Sequence, residues 1–517
     1  MSTLGAITAA LAFISIIQFV YVRIQHRIAL AEASRSQNCA TPPHLPTKDF
    51  LFGLDTVFEN LRALKRNGRI KQISSQHQEL GKTFESYPFG RRVVSTVDVR
   101  NIQAVLSGQQ EKFGVGPIRE HAQGPMTGRG IITSDGGVWM HGRDMVKPTF
   151  SRSQIADRGL FEGFVQRFLQ LLPIDEGRIV DLQPLFDRLI LDASSEFIFG
   201  ESFDSLSSDC PVDSKRFLDA FSYAQKGVGL RVLMGKMSFL IRDAKFWEAC
   251  KVIRQFTQDH VDRALSNRVR HNEREDTEKN IASHVKTRME KGNEKYILVH
   301  EMARESQNRE ELCSQLLNVF FAGRDTPAVA LSNIFFCLAR HPKAWEKIRK
   351  EVEGLKIEDL TFERLKSLRY VQYVINEALR LYPPVPNQSR TALTPSILPT
   401  GGGSTGTQPI LLFLGDTVSM NFYTMHRNSA IYSPDPNAFR PERWRDIRPG
   451  WHYLPFGGGA RHCPAQQLAL FWVAYTVVRM AMEVKGVRNR DEVEEFVECL
   501  KLNMESGNGV QVELVRG

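Results

Sequence analysis

The hydrophobic pattern begins with an apolar run near the N-terminus. Residues 4–22 (LGAITAALAFISIIQFVYV) carry no charge and are mostly apolar, close to the ~20 residues that a helix needs to cross a bilayer. The run predicts one N-terminal transmembrane helix, with residues 1–24 as a membrane anchor and residues 25–47 as a proline-rich linker. Arg23 follows the run and no Lys or Arg precedes it, so the remaining chain is expected in the cytosol. A cleaved secretory signal is the alternative, but the run is long for one and lacks a basic start.

Beyond residue 48 the spacing of apolar residues is mostly helical. Short strand-like runs occur near residues 92–97 and 409–419, and the period-two alternation of residues 510–514 predicts the return strand of a hairpin. The glycine-rich stretch 398–408 lacks the Lys-Ser/Thr ending of a phosphate loop, so we expect a surface loop. The mixed charges of residues 263–280 predict a solvated linker between helices. The pattern as a whole predicts a mainly α fold with small β-sheets.

One long apolar helix is predicted over residues 312–339, where Arg324 and Asp325 are the only charged residues. A second transmembrane span would place these two charges near the bilayer centre, so a buried core helix is preferred. Pro327 removes a backbone donor, which opens the helix beside Asp325 and Thr326. The opening is either a site for a small ligand or a plain proline kink, and this segment alone does not distinguish the two.

Glu377 and Arg380 are the only charges in the apolar stretch 370–389. At i and i+3 their side chains share one face of a helix. If that helix is buried, both charges need partners, because an uncompensated buried charge costs several kcal/mol. An exposed pair worth about 0.5 kcal/mol is the alternative, which the apolar surroundings disfavour.

A glycine-rich turn precedes Cys463, and a helical pattern that opens with Pro464 follows it. This order predicts that Cys463 lies at a helix N-terminus, where backbone N–H groups stabilise a thiolate. The glycines at 457–459 allow the backbone to approach the sulfur and its ligand. A buried inert cysteine and a catalytic nucleophile are the alternatives, although only the adjacent His462 could act as a base.

Composition narrows the class of protein. The 517 residues are 42% hydrophobic and 24% charged, which excludes a mainly disordered chain. The net charge of +9 fits a membrane surface, an acidic protein or nucleic acid. Because the charged stretch 263–280 lacks interleaved aromatic residues, no nucleic acid partner is expected. The basic cluster within residues 62–71 is either a contact for anionic lipid headgroups or a solvated helix face. The seven cysteines form no C-x-x-C pair, which favours a reducing compartment.

Five segments of the chain resemble motifs of one family. They are Trp139-x-x-x-Arg143, Ala322-Gly323-Arg324-Asp325-Thr326, Glu377-x-x-Arg380, Pro441-Glu442-Arg443-Trp444 and Phe456-x-x-Gly459-x-Arg461-x-Cys463. In this order they resemble the helix C motif, the helix I motif, the helix K pair, the third member of the Glu-Arg-Arg triad and the haem-thiolate loop of the cytochrome P450 family. The resemblance covers essentially the whole chain. It implies the cytochrome P450 fold, with a haem-thiolate catalytic domain over residues 48–517.

The resemblance also implies a role for each matching residue. Cys463 would be the thiolate ligand of the iron of haem b, and the other haem-binding residues would be Trp139, Arg143, Arg390, Phe456, Gly459 and Arg461. Asp325 and Thr326 would be the catalytic pair that relays protons toward dioxygen, and the structural residues would be Glu377, Arg380 and Arg443. Two positions depart from the family pattern, with Ala465 where glycine is usual and Pro327 where Thr or Ser is frequent.

The implied activity is that of a monooxygenase, which inserts one oxygen atom of dioxygen into an apolar substrate with electrons that a reductase passes from NADPH. Four stretches resemble the fungal alkane- and fatty-acid-hydroxylating branch of the family: 41–46, 400–406, 425–427 and 439–444. A fatty acid, an alkane-like chain or a specialised metabolite is therefore the expected substrate.

Two other activities remain open, a haem-thiolate isomerase or dehydratase that needs no reductase and a non-catalytic haem sensor. The presence of Asp325 and Thr326 disfavours the isomerase or dehydratase. The expected partners are an NADPH-cytochrome reductase and membrane lipid. We expect the protein at the endoplasmic reticulum membrane, with a cytosolic catalytic domain.

Overall fold

The structure is a computed structural model that describes residues 3–49, 52–150, 158–174, 177–207, 211–281 and 296–516. The α-helices in these ranges are α1 (Thr3–Gln37), α2 (Leu54–Lys65), α3 (Arg69–Leu80), α4 (Val99–Gln103), α5 (Gly116–Thr127), α6 (Gly136–Val146), α7 (Arg158–Gln170), α8 (Leu182–Phe199), α9 (Val212–Met234), α10 (Ala244–Ile281), α11 (Leu298–Glu305), α12 (Arg309–Gly323), α13 (Thr326–Arg340), α14 (Pro342–Val352), α15 (Phe362–Ser367), α16 (Arg369–Leu381), α17 (Phe422–Met425), α18 (Ser429–Tyr432) and α19 (Gln466–Glu483). The strands are β1 (Thr83–Ser86), β2 (Val93–Thr96), β3 (Phe113–Gly114), β4 (Ile179–Asp181), β5 (Asn387–Ala392), β6 (Ser396–Gly402), β7 (Gln408–Leu412), β8 (Thr417–Asn421), β9 (Val484–Asn489), β10 (Glu498–Leu500), β11 (Met504–Ser506) and β12 (Gln511–Arg516).

The strands form small sheets at the edges of a helical body. The largest sheet has five strands in the order β1-β2-β8-β5-β3, in which β2 and β8 are parallel and the other neighbours antiparallel. Strands β6 and β7 pair with each other, as do β10 and β11, and β12 lies between β4 and β9. The predicted mainly α fold with small β-sheets is confirmed.

Helix α13 lies at the centre of the core. Every residue from Pro327 to Ala339 is buried, because α8, α16, α19 and β11 all pack against this helix. Helix α16 is amphipathic, and Val371, Val374 and Ala378 share its buried face at i, i+3 and i+7 spacing. Of these elements, α8, α13 and α19 contribute residues to the wall of the cavity described below.

Three predictions of local structure need correction. Residues 398–408 are a surface loop only over residues 403–407, because residues 398–402 belong to β6 and residue 408 begins β7, and the two strands pair with a shift in register. Residues 263–280 continue helix α10, which runs to Ile281, because the Arg, Glu and Lys residues frequent in this stretch have good helix propensity. Residues 510–514 do contribute a strand, but β12 pairs with the distant β4 and β9 rather than with the strand before it.

The predicted apolar run near the N-terminus is helical, within α1. In the part of the chain that the structure describes, no helix is long and apolar enough to cross a membrane. The proline-rich segment that follows α1 lies against the sheets, where the Ala40 N–H donates to the Pro409 carbonyl and the Leu45 N–H to the Glu85 carbonyl, both at 2.8 Å.

Candidate active site

A cavity opens in the helical body, bounded by residues of α6, α8, α12, α13, α19 and the cysteine loop at 455–465. It holds about 1400 Å³ of empty space, part of it open to solvent. The structure brings seven of the singled-out residues to its wall: Trp139, Arg143, Thr326, Arg390, Phe456, Arg461 and Cys463. Motifs that are far apart in the sequence therefore meet around one space. Asp325 and Gly459 do not line the cavity, and their contacts are given below.

Cys463 lies between the 3₁₀ turn Gly459–Arg461 and helix α19. Its N–H donates to the carbonyl of Phe456 at 2.9 Å, which closes the loop. Helix α19 begins at Gln466 with Ala465 as its capping residue, so the predicted helix start at Pro464 is two residues too early. The amide of Ala465 is the backbone donor that reaches the thiol.

Burial raises the pKa of the Cys463 thiol to about 11. The Ala465 N–H and the positive charge of Arg143 act in the opposite direction, but by less. The N–H group at the helix end does favour the thiolate, as predicted, but the loss of hydration outweighs this donor and the neighbouring cation, so the pKa is raised rather than lowered. A metal ion bound to the sulfur would reverse this balance, since a coordinated thiol is deprotonated.

Gly459 occupies a position that no side chain can fill. Its φ is +67°, and a Cβ atom there would lie 1.7 Å from the carbonyl oxygen of Leu106. The glycine therefore allows the cysteine loop to pack directly on the π-helical turn Ala104–Gly108. Gly459 acts on Cys463 through the shape of the loop and not by facing the cavity.

Four arginines line the cavity wall: Arg119, Arg143, Arg390 and Arg461. Among the described residues, Asp135 is the one carboxylate paired with this group, at 2.7 Å from Arg461. Burial, followed by the positive charges of Arg119 and Arg461, lowers the pKa of Arg390 to about 9. The wall thus carries more positive charge than its own carboxylate neutralises.

Haem b fits these residues. Its two propionates would neutralise the surplus arginines, whose planar forks suit carboxylates. Its iron would find a soft ligand in Cys463. Trp139 supports Arg461, with the guanidinium carbon 4.4 Å from the ring centroid, and Arg143 donates to the His462 carbonyl at 3.1 Å. Both contacts connect α6 to the cysteine loop.

Arg119 was not singled out from the sequence. It lies in α5, outside the five motifs, and its Nη1 donates to the Ile132 carbonyl at 3.0 Å. No spacing in the sequence distinguishes it from the other arginines, because only the folded chain places α5 beside Arg390 and Arg461.

The long helix predicted over residues 312–339 is broken into two. Helix α12 ends at Gly323 and α13 begins at Thr326. The Thr326 hydroxyl lines the cavity and donates to the Ala322 carbonyl at 2.8 Å. The Gly323 carbonyl, predicted to be released by Pro327, accepts from the Ser194 hydroxyl at 3.4 Å.

Asp325 is held away from the cavity. Arg324 binds its Oδ1 at 2.5 Å, and the Gln225 amide of α9 donates to its Oδ2 at 2.8 Å. The expectation that Asp325 and Thr326 would both face the opening is therefore met by Thr326 alone. The Asp325 carboxyl can deliver a proton to the cavity only through other groups or after a change of its rotamer.

Glu377, Arg380 and Arg443 form a buried charge cluster. Arg380 donates twice to Glu377, at 2.8 and 2.9 Å, and Arg443 donates once, at 2.8 Å. The Trp444 indole and the Arg440 N–H each add a bond of 2.9 Å to the same carboxylate. The remaining guanidinium groups bind backbone carbonyls of residues 426–438. The cluster fixes α16 to the segment that leads into the cysteine loop.

Two amides of α12 hold the loop above the cavity, and sequence reasoning missed both. Gln315 accepts from the Ile131 N–H at 3.1 Å, and Asn318 accepts from the Ile132 N–H at 3.0 Å. Both amides are buried. The signal in the sequence is their polarity within the apolar stretch 312–339.

A cysteine sulfur, a wall of arginines and a hydroxyl at a helix break define the class of this site as that of a haem-thiolate protein. A family model described as Cytochrome P450 matches residues 54–480. The chain belongs to the cytochrome P450 family, and its enzyme class is that of a monooxygenase.

Similar proteins support this assignment over the whole length. The chain is 36% identical to the cytochrome P450 monooxygenase himC of Aspergillus japonicus over 482 residues, which cover 93% of this chain and 84% of that protein. It is 34% identical to the cytochrome P450 monooxygenase fsdH of Fusarium heterosporum, covering 100% and 89%. It is also 34% identical to cytochrome P450 52A12 of Debaryomyces hansenii, covering 92% and 90%.

A solved structure shares the fold. The crystal structure of the cytochrome P450DA heme domain superposes with a TM-score of 0.72 at 18% identity, and the match covers 93% of this chain and 97% of that one. At this identity the likeness concerns the fold alone.

Proposed function

We propose that this chain is a haem-thiolate monooxygenase that inserts one oxygen atom of dioxygen into an apolar substrate, with electrons from NADPH passed on by a reductase. The observation that carries the proposal is that Cys463 and Thr326, a metal ligand and a proton-bearing hydroxyl, line the same cavity. Haem b, when bound, supplies the activation of dioxygen. Cys463 would anchor it, and the arginines on the wall would orient it.

Thr326 holds a proton at the cavity, where the chain breaks between α12 and α13. Its hydroxyl donates to the Ala322 carbonyl at the helix break, so a small rotation would direct the same O–H into the cavity. Asp325, the adjacent residue, supplies a carboxyl on the opposite side of the break. This acid and alcohol favour a monooxygenase over the isomerase or dehydratase, since neither of those reactions consumes protons at dioxygen.

The substrate class we propose is an apolar molecule such as a fatty acid, an alkane-like chain or a specialised metabolite. Apolar side chains dominate the lining away from the arginines, including Ile131, Val319, Val385 and Phe150. Such a surface gains free energy by burying hydrocarbon and offers few groups for a highly polar substrate.

The partner and location we propose follow from the sequence. A net charge of +9 suits an acidic flavoprotein reductase as electron donor. The apolar run at residues 4–22 suits attachment to the endoplasmic reticulum membrane, with the catalytic domain on the cytosolic side. Fractionation of the expressed full-length protein, with and without residues 1–24, tests the attachment.

The activity is tested by product formation in a reconstituted system that contains NADPH, a reductase and dioxygen. The monooxygenase proposal requires that product formation stop when either NADPH or dioxygen is withheld. Product that continues to form without NADPH would support the isomerase or dehydratase. A saturable shift of the Soret band of the ferric protein with medium- or long-chain fatty acids identifies the substrate class.

The role of Thr326 is tested by Thr326→Ala and Thr326→Ser. The alanine variant should keep consuming NADPH but divert electrons from product to hydrogen peroxide. The serine variant retains a hydroxyl and should stay coupled. Full coupling in Thr326→Ala would exclude this residue from proton delivery.

A further inference from the structure

Asp135 lies at the end of the segment that joins α5 to α6. It occupies the capping position of α6, where an aspartate normally accepts a hydrogen bond from the first turn of its own helix. Its side chain makes no such bond. The carboxylate binds the start of α5 instead, where Oδ1 accepts from the Val115 N–H at 2.9 Å and Oδ2 from the Gly116 N–H at 2.7 Å. Asp135 therefore caps the helix that precedes its own.

Two glycines leave room for this carboxylate. A Cβ atom at Gly114 would clash with Asp135 Oδ2, and one at Gly116 would lie 2.9 Å from the same oxygen. A side chain at Gly114 would therefore push the carboxylate out of its position. The backbone on both sides of Val115 is thus shaped to hold Asp135 where it lies.

The same carboxylate holds Arg461. Its Oδ1 accepts from Arg461 Nη2 at 2.7 Å, and the Ser134 carbonyl accepts from the same nitrogen at 2.8 Å. The ring of Trp139 lies against the guanidinium group. In the described part of the chain, every hydrogen bond of the Arg461 side chain uses Nη2, which leaves Nε and Nη1 for a haem propionate.

The negative charge of Asp135 also reaches other arginines of the cavity wall. Burial lowers the pKa of Arg119 and, more strongly, that of Arg390, and the charge of Asp135 acts against burial at both. Asp135 itself does not line the cavity, whereas Arg461 does. The carboxylate therefore acts on the cavity by offsetting part of the positive charge of its wall.

We propose that Asp135 is a positioning residue of the haem site, which fixes Arg461 for a propionate and lowers the reduction potential of the haem iron. Ferrous iron carries one positive charge less than ferric iron, so a negative charge held nearby favours the ferric state. The inference rests on the proposed function for the presence of haem and holds for any substrate.

The test compares the reduction potentials of the substrate-free holoproteins by spectroelectrochemical titration. Asp135→Asn keeps the shape of the side chain and removes its charge, whereas Asp135→Glu keeps the charge. Asp98→Asn is the matched control, because Asp98 also caps a helix and binds an arginine, outside the cavity. It accepts from the Arg100 N–H at 2.9 Å and pairs with the Arg100 side chain at 3.0 Å.

Asp135→Asn should have a more positive potential than the wild type, so the ratio of ferrous to ferric protein at the wild-type midpoint potential should rise several-fold. Asp135→Glu and Asp98→Asn should keep the wild-type potential. Both asparagine variants should melt at a lower temperature, because each loses a charge-assisted bond to an arginine. A merely structural role of Asp135 would lower the thermal midpoint but would not move the potential.

An unchanged or more negative potential in Asp135→Asn overturns the proposal, as does an equal shift in Asp135→Glu or in Asp98→Asn. Asp135→Ser makes the same change of charge without directing an amide NH₂ at Arg461, so its potential decides the question if Asp135→Asn binds no haem. A wild-type protein whose reduced carbon monoxide complex lacks the thiolate-type Soret band overturns the proposed function instead.

Discussion

The buried carboxylate of Glu377 offers the sharpest test of what holds the domain together. Replacing it in Glu377→Gln keeps the shape of the side chain but removes its charge. The side chains of Glu377 and Arg380 have no exposed surface, and that of Arg443 is 5% exposed. The variant therefore leaves two guanidinium groups inside the protein without their counter-charge, and its amide NH₂ directs donors at groups that are themselves donors.

The expected cost follows from this geometry. Breaking a buried ion pair by removing one partner costs about 3–5 kcal/mol. A domain of roughly 470 residues unfolds with an entropy of about 1 kcal/mol/K, so the thermal midpoint should fall by about 3–5 °C. Trp444→Phe keeps every guanidinium bond to the carboxylate but removes the indole N–H donor and part of the buried ring. The loss of the bond alone should cost about 1.5–3 kcal/mol, because that bond is to a charged group.

The assay is thermal unfolding of the holoprotein at one fixed scan rate, since large domains often unfold irreversibly. Glu442→Gln is the matched control, because its carboxylate pairs with Lys347 at the surface with half of its side chain exposed. That pair is worth about 0–1 kcal/mol, so the control should melt within about 1 °C of the wild type. Equal midpoints for Glu377→Gln and Glu442→Gln would refute the reasoning.

Three further predictions concern the loop, the arginine wall and the pH dependence of stability. Gly459→Ala should abolish haem incorporation. In the control Gly406→Ala, with φ +66° and no atom within 4 Å of the new Cβ, the free energy of unfolding should fall by only about 1–2 kcal/mol. The haem content after purification checks this, and equal haem content in both variants would contradict it. Arg119→Gln should speed haem loss to apomyoglobin several-fold, whereas an unchanged rate would remove Arg119 from the propionate site. Burial lowers the pKa of His77 to about 4, so the unfolded chain takes up the proton at a higher pH than the folded protein does. About 3 kcal/mol of stability, fully present above pH 6.5, is therefore lost as the pH falls toward 4. The denaturation midpoint of His77→Gln should fall less over this interval than that of the wild type, and an equal fall would contradict the assignment.

The parts of the fold that followed from the sequence are those with a strong local cause. The apolar face of α16, the opening of the helix beside Thr326 and the glycine-rich turn before Cys463 can each be predicted from composition and spacing over a few residues. The site motifs belong to this class, because the haem-thiolate loop and the Glu377–Arg380 pair are each contiguous in the chain.

The parts that were wrong or missed depend on distant contacts. Strand β12 pairs with β4 across more than three hundred residues, and no local pattern encodes that choice. The raised pKa of Cys463 reflects burial by the whole cavity and not the nearby helix end. Arg119 belongs to the cavity only because α5 folds over it, and Asp325 turns outward because α9 supplies Gln225.

The central claim is that Cys463 is the thiolate ligand of a haem monooxygenase, and the Soret band of the reduced carbon monoxide complex tests it most directly. The wild type should show the thiolate-type band, and so should Cys499→Ser, whose partly buried thiol lies outside the cavity. Cys463→Ser should lose the band. Retention of a thiolate-type band in Cys463→Ser, or its absence from the wild-type holoprotein, would contradict the account.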